Sequence, residues 1–211
     1  MENKRDQRPY NVAYYAANRE NEIERVRVRQ AATLEFLRDL RRRPCQDCGG
    51  IFPPWVMDFD HRTPSEKSFN LTSGRAMLMS RSRLLAEIEK CDIVCANCHA
   101  GRTYRWLLAR DKPVSGTSRR LEEKREYWRG HAKILEELRD VPCADCGRRF
   151  PSYVMQFDHR DSSDKRYTVT RMIGRAGRAK ILEEAAKCDI VCANCHRERT
   201  YRRRTASAGV L

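Results

Sequence analysis

Eight of the ten cysteines in this chain form four Cys-x-x-Cys pairs: Cys45 with Cys48, Cys95 with Cys98, Cys143 with Cys146, and Cys192 with Cys195. Two residues between thiolates let one tight turn present both sulfurs to a single ion, and two such pairs complete the closed tetrahedral shell of a structural zinc site. Beside each set stand an Asp-His dipeptide and a second histidine directly after the last cysteine: Asp60-His61 with His99, and Asp158-His159 with His196. A carboxylate oxygen and an imidazole nitrogen make a partial shell for a hard or borderline divalent cation, with positions left open for water and phosphate. The remaining histidine of each set is then free to act as a base, a task for which an imidazole pKa near about 6.5 is suited at neutral pH. Thioredoxin-like use of the cysteine pairs is disfavoured, because one pair per domain would suffice and no βαβ pattern surrounds them.

The chain is written twice. Pro44-Cys45-Gln46-Asp47-Cys48-Gly49 returns as Pro142-Cys143-Ala144-Asp145-Cys146-Gly147, and Val56-Met57-Asp58-Phe59-Asp60-His61-Arg62 returns as Val154-Met155-Gln156-Phe157-Asp158-His159-Arg160. One residue is then lost, and Lys90-Cys91-Asp92-Ile93-Val94-Cys95-Ala96-Asn97-Cys98-His99 returns unchanged, ending at His196. Matching cysteines account for all ten, with Cys91 and Cys188 left outside the pairs; a buried thiol and a redox or ligand-exchange role are both open to them.

The elements that must position these residues follow from pattern. Ile23, Val26, Leu34, Leu37 and Leu40 recur at mostly helical intervals over residues 20–42, and residues 121–138 are the counterpart, each run closed by a proline. Residues 55–61 are rich in aromatic and branched side chains and read as a short strand, with a second strand placed near 68–72 and its match at 167–170. A short helix over 82–90 (180–187 in the second copy) and a helix opening near Ala96 and running towards Leu108 complete each unit. The divisions are a basic helical lead-in at 1–43, a first module at 44–110, a linker at 111–118 where Pro, Gly and Ser cluster, a second lead-in at 119–141, a second module at 142–205 and a tail at 206–211. Val56, Met57, Phe59, Ile93 and Val94, with Val154, Met155 and Phe157, are the expected core.

Taken together these residues resemble the HNH nuclease family over residues 44–105 and again over 142–203. The resemblance implies an α+β fold of tandem small ββα-metal modules, each with a four-cysteine zinc knuckle pair, and a metal-dependent endonuclease acting on DNA. It further implies that His61 and His159 are the general bases. Asp60 with His99, and Asp158 with His196, would hold a catalytic Mg2+ or another divalent cation, alongside two structural Zn2+ ions. One feature departs from the family pattern: the positions of its middle Asn hold Lys90 and Cys91, and Lys187 and Cys188. Asn97 and Asn194 either take over that catalytic role or hold the knuckle turn and cap a helix.

Lys and Arg number 43 against 29 Asp and Glu, a net charge of +14. Two zinc tetrathiolates at about −2 each would leave about +10, which still points to a polyanionic partner. Arg62, Arg102, Tyr104, Arg105, Arg160, Arg199, Tyr201 and Arg202 are the expected nucleic-acid contacts, Arg for phosphates and Tyr for exposed bases. No run approaches the roughly 18 apolar residues of a membrane span, and no secretory signal opens the chain, so the expected location is cytoplasmic. Two copies in one chain suggest a monomeric pseudo-dimer. Should one copy be the weaker, it is expected to be the first, since Gly101 sits in its presumed metal helix at a cost of about 1 kcal/mol relative to Ala. A non-catalytic zinc-ribbon nucleic-acid-binding adaptor and a zinc-stapled protein-interaction module are the rival readings.

Overall fold

The structure, a computed structural model, describes residues 8–110 and 119–207; the linker expected at 111–118 and the far end of the tail lie outside them. Each half is built alike. A long helix, α1 (Arg8–Leu40) or α4 (Arg119–Leu138), leads into the first cysteine knuckle. A two-stranded antiparallel sheet follows, β1 (Met57–His61) with β2 (Cys91–Cys95), and in the second half β3 (Met155–His159) with β4 (Cys188–Cys192). A short helix lies between the strands, α2 (Arg81–Ile88) or α5 (Arg178–Ala185), and a longer one follows them, α3 (Ala96–Arg110) or α6 (Ala193–Ser207). The chain is therefore mixed α+β, with two small sheets.

The second strand is not where the sequence pattern placed it. Residues 68–72 form turns, in which Asn70 caps Thr72, and part of 167–170 lies in a 3-10 turn at Val169–Met172. The partner of β1 is instead the five-residue run that ends in the second knuckle, in register Met57↔Cys95 through His61↔Cys91. Ile93 and Val94 are β-branched and almost fully buried, which is what a strand at the centre of a small core requires. Within the lead-in, the helix begins at Arg8, before the periodic stretch that starts at residue 20.

Alternation along the paired strands sorts the chemistry. Met57, Phe59 and His61 share a face with Cys91, Ile93 and Cys95; Asp58 and Asp60 share the other with Asp92 and Val94. The first face meets α2 and its core of Leu71, Ala76 and Leu84. The second is covered by α3, whose His99 and Arg102 reach the three aspartates. The expected core residues Val56, Met57, Ile93, Val94, Val154 and Met155 are buried, while Phe59 and Phe157 are half-buried at the edge.

The halves meet through α3 and α6 across a pseudo-twofold axis. The amide N–H of Asn97 donates to Asn194 Oδ1 and that of Asn194 to Asn97 Oδ1, both at 2.9 Å. Trp55 stacks on Tyr201 with ring centroids 3.7 Å apart, and its counterpart Tyr153 stacks on Tyr104 at 4.2 Å. Among the described residues no helix is long and apolar enough to cross a membrane.

Candidate metal centres and catalytic cleft

In each half the four paired cysteines converge, with all sulfurs of a set within 4.8 Å of one another. Gly49 and Gly147 take left-handed backbone angles (φ 69° and 68°) just after each first pair, the turn that points both thiols inward. Sulfur also accepts from the backbone: the amides of Cys95 and Cys192 donate to the Sγ atoms of Cys45 and Cys143, each at 3.2 Å. Burial pushes the Cys45 thiol up, but the amides of Cys48, Cys95 and Asp47 outweigh it and draw it down to about 7. Cys98 is driven upward by burial and by its neighbours Cys95 and Cys45. Four crowded thiols cannot all ionise without a cation, and this donor set fits a tetrahedral zinc ion in each half. These two groups are the only clusters of three or more ligating side chains among the described residues. Cys91 and Cys188 stand apart. Each thiol donates to a carbonyl, of Glu87 and Glu184 respectively, and burial followed by a nearby carboxylate raises each to about 11, so both are buried and inert.

On the helix-covered face of the first sheet, His99 Nδ1 lies 2.9 Å from Asp58 Oδ2, and His99 Nε2 lies 3.5 Å from Asp60 Oδ1. A proton on Nδ1 shared with Asp58 leaves the Nε2 lone pair facing Asp60, the arrangement by which an outer carboxylate fixes the tautomer of a metal-binding imidazole. The Asp58 bond, partly opposed by burial, raises the His99 pKa. Asp60 and His99 thus offer two ligands to one ion.

The second half has the same pair under different restraint. His196 Nε2 is 3.4 Å from Asp158 Oδ1, but Gln156 stands in place of Asp58, and burial lowers the His196 pKa. Asp158 is gripped by Arg203 through two bonds of 2.7 and 2.8 Å and by Arg199 at 3.0 Å. Position 106, the counterpart of Arg203, is a tryptophan. Asp158 is thus held by a bidentate guanidinium, whereas Asp60 meets a single contact from Arg102 at 3.3 Å.

The two expected bases sit on the opposite sheet face, at the last residue of β1 and of β3. His61 Nε2 lies 2.8 Å from Glu87 Oε1, and His159 Nε2 lies 2.9 Å from Glu184 Oε1. Glu87 is almost fully buried and satisfied: the amides of Ser68 and Phe69 share Oε1, and Lys90 Nζ binds Oε2 at 2.7 Å. Burial would raise its pKa, but Lys90, His61 and these amides outweigh it and hold it at about 2. Glu184 repeats the arrangement with Lys187 and the amides of Arg166 and Tyr167. A carboxylate fixed on Nε2 keeps the proton there and leaves Nδ1 as the basic nitrogen. His159 and His196 line one cleft, together with Arg139, Gln156, Phe157 and Lys165. Sequence reasoning missed the two glutamates, although each recurs three residues before the repeated lysine.

Asn97 and Asn194 are not beside the bases. Each lies in the first turn of its helix and accepts one of the other helix's orphan N–H groups, so their role is reciprocal capping across the halves. Most of the expected nucleic-acid contacts are likewise engaged internally. Arg102 binds Asp47, Asp60 and Asp92, and Arg199 binds Asp145, Asp158 and Asp189. Arg62 reaches Asp92 and the carbonyls of Glu89 and Cys91; Arg160 reaches Asp189 and the carbonyls of Ala186 and Cys188. Tyr104 and Tyr201 are stacked at the interface. Arg105 is exposed, and Arg202 is exposed beside Glu198. Compared with protein-family models, with curated proteins and with solved structures, the chain matches none.

Proposed function

We propose that the chain is a metal-dependent endonuclease that hydrolyses DNA phosphodiester bonds with two HNH-type modules. The observation that carries this reading is the repeated pairing of a strand-end histidine, clamped through Nε2 by a buried glutamate, with an Asp-imidazole pair made by the preceding strand residue and the helix that follows. If Asp60-His61 were only a satisfied surface pair, there would be no reason to build a buried carboxylate with a pKa of about 2 beneath the histidine in both halves.

In this reading Asp60 and His99 would hold a divalent cation, which would supply Lewis-acid polarisation of the scissile phosphate and steady the leaving 3'-oxygen. Two side-chain ligands leave room for water and phosphate oxygens, as Mg2+ prefers. His61 accepts the proton of the attacking water at Nδ1. Glu87 keeps the other ring proton on Nε2 and stabilises the imidazolium that forms. Asp58 holds His99 so that Nε2 faces the ion.

A second reading, a non-catalytic zinc-ribbon nucleic-acid-binding module, draws support from the second half, where Arg203 and Arg199 already neutralise Asp158. Supercoiled plasmid incubated with the zinc-loaded protein, with and without Mg2+ or Mn2+, separates the two. Wild type is compared with His61→Ala, His159→Ala and the double variant. Ion-dependent cleavage lost in the double variant supports the nuclease; binding without cleavage of plasmid, branched or single-stranded DNA by the wild type rejects it.

A further inference from the structure

Most arginines near the two sites are paired with the protein's own carboxylates, but one in each half is not. Arg41 follows the last residue of α1 and is 8% exposed; its Nε is buried without a hydrogen-bond partner. Arg139, the first residue after α4, repeats this: its Nε is also buried and unpartnered. Neither guanidinium makes a hydrogen bond or ion pair among the described residues. Both are held flat against the sheet instead, Arg41 over the Phe59 ring at 4.6 Å and Arg139 over Phe157 at 4.9 Å. Phe59 and Phe157 lie two residues before His61 and His159 on the same strand face, and Arg139 lines the cleft that holds His159 and His196.

A guanidinium carries five donors and cannot shed its charge, so leaving its buried Nε–H unpaired, in the nearly buried Arg41 and the half-buried Arg139, is costly. Burial opposes the charge at both residues, offset only in part by Asp58 near Arg41 and by Glu136 near Arg139. Stacking on an aromatic ring and the C-terminal end of a helix favour a cation modestly but satisfy none of its N–H groups. What would satisfy them is a planar or tetrahedral oxyanion arriving from the cleft.

We infer that Arg41 and Arg139 are the residues that grip the phosphate of the bound nucleic acid, each receiving a non-bridging oxygen beside the histidine of its own half. For its substrate the inference rests on the endonuclease reading; for its anion it does not. The arginine positions the phosphate for attack and offsets charge as it gathers on the phosphate oxygens.

The test uses full-length, zinc-loaded protein: wild type, Arg41→Met with Arg139→Met, and the corresponding double lysine variant. Methionine keeps an apolar stem on Phe59 and Phe157 but removes the donors. Inorganic phosphate is the first probe, by thermal shift against sodium chloride at equal ionic strength. Phosphate is expected to raise the wild-type Tm, and its affinity to fall about tenfold or more in the methionine variant, the loss of a charge-assisted bond. The second probe is a DNA duplex without added divalent ion. The slope of log affinity against log salt is expected to fall by about 0.9 per arginine removed in the methionine variant and to be kept in the lysine variant. If wild type fails to cut plasmid but these phosphate and salt effects appear, the phosphate grip stands and the nuclease reading falls. If the methionine variant, with zinc content and folding unchanged, answers phosphate and salt as wild type does, the inference is overturned, whatever the plasmid shows. A lowered Tm with an unaltered phosphate response makes both arginines structural and overturns it equally.

Discussion

Glu87 decides what His61 can do. With Oε1 on the imidazole and Oε2 on Lys90, the ring can neither flip nor move its proton without breaking a buried bond. Glu87→Gln is expected to lower the single-turnover cleavage rate by about 10- to 100-fold with little change in DNA affinity, since an amide holds the ring less firmly and stabilises its cation less. Glu87→Ala strands Lys90 and two amides as well and should cost about 3–5 kcal/mol in urea unfolding. The histidines proposed as ligands of the catalytic ion, His99 and His196, differ in their response to acid. Ion binding needs a neutral imidazole. His99, its pKa raised by Asp58, keeps its proton to higher pH than His196, whose pKa is lowered by burial. As pH falls, Mn2+ affinity is therefore expected to decline first in the first half, measured by electron paramagnetic resonance in Asp60→Asn and Asp158→Asn proteins that each retain one site. Coincident profiles would refute the assigned hydrogen bond. Cys-x-x-Cys spacing and the Asp-His repeats made the ligands legible in the sequence, because local spacing determines them. Glu87 and Arg41 were not, because their meaning depends on burial and on partners distant in the chain.

At the scale of elements, each long helix begins within a knuckle and borrows its cap from the other half. Asn97 and Asn194 each satisfy a first-turn amide of the opposite helix. Asn97→Ala or Asn194→Ala should each cost about 1 kcal/mol in urea unfolding. The pair together should depart from additivity, since the two bonds share one interface; strict additivity would show that the caps act separately. The helices were legible from their periodicity and stop signals. The second strand was not: residues 68–72 carry aromatic and branched side chains, but their backbone amides are drawn into turns and onto Glu87. Residues 91–95 looked like knuckle and core, and are a strand because β1 supplies their hydrogen bonds.

For the whole molecule, each core is a short sheet, a few buried aliphatic residues and a cysteine cluster. Modules so thin depend on the metal for much of their stability. Two zinc ions per chain are expected by elemental analysis, and a strong chelator should abolish the thermal transition, with refolding on zinc addition; a metal-free protein with an unchanged transition would exclude the zinc assignment. Some of the differences between the halves fall where they touch. Asp58 accepts two bonds from Arg197 at 2.7 and 2.8 Å, while the mirror-image positions hold Gln156 and Ala100. Glu198 accepts from the Trp55 indole, while Gly101 faces Tyr153 with room to spare.

That mismatch is a lock and key cut from one pattern. A first half set against its own copy would set the largely buried Asp58 opposite Ala100, and a second half against its own copy would set the half-exposed Arg197 opposite Gln156, each without its counter-charge. Joined on one chain, the complementary halves meet at an effective concentration in the millimolar range. Catalysis that needs both halves should therefore scale linearly with enzyme down to the highest dilution, where a self-assembling dimer would fall away as the square.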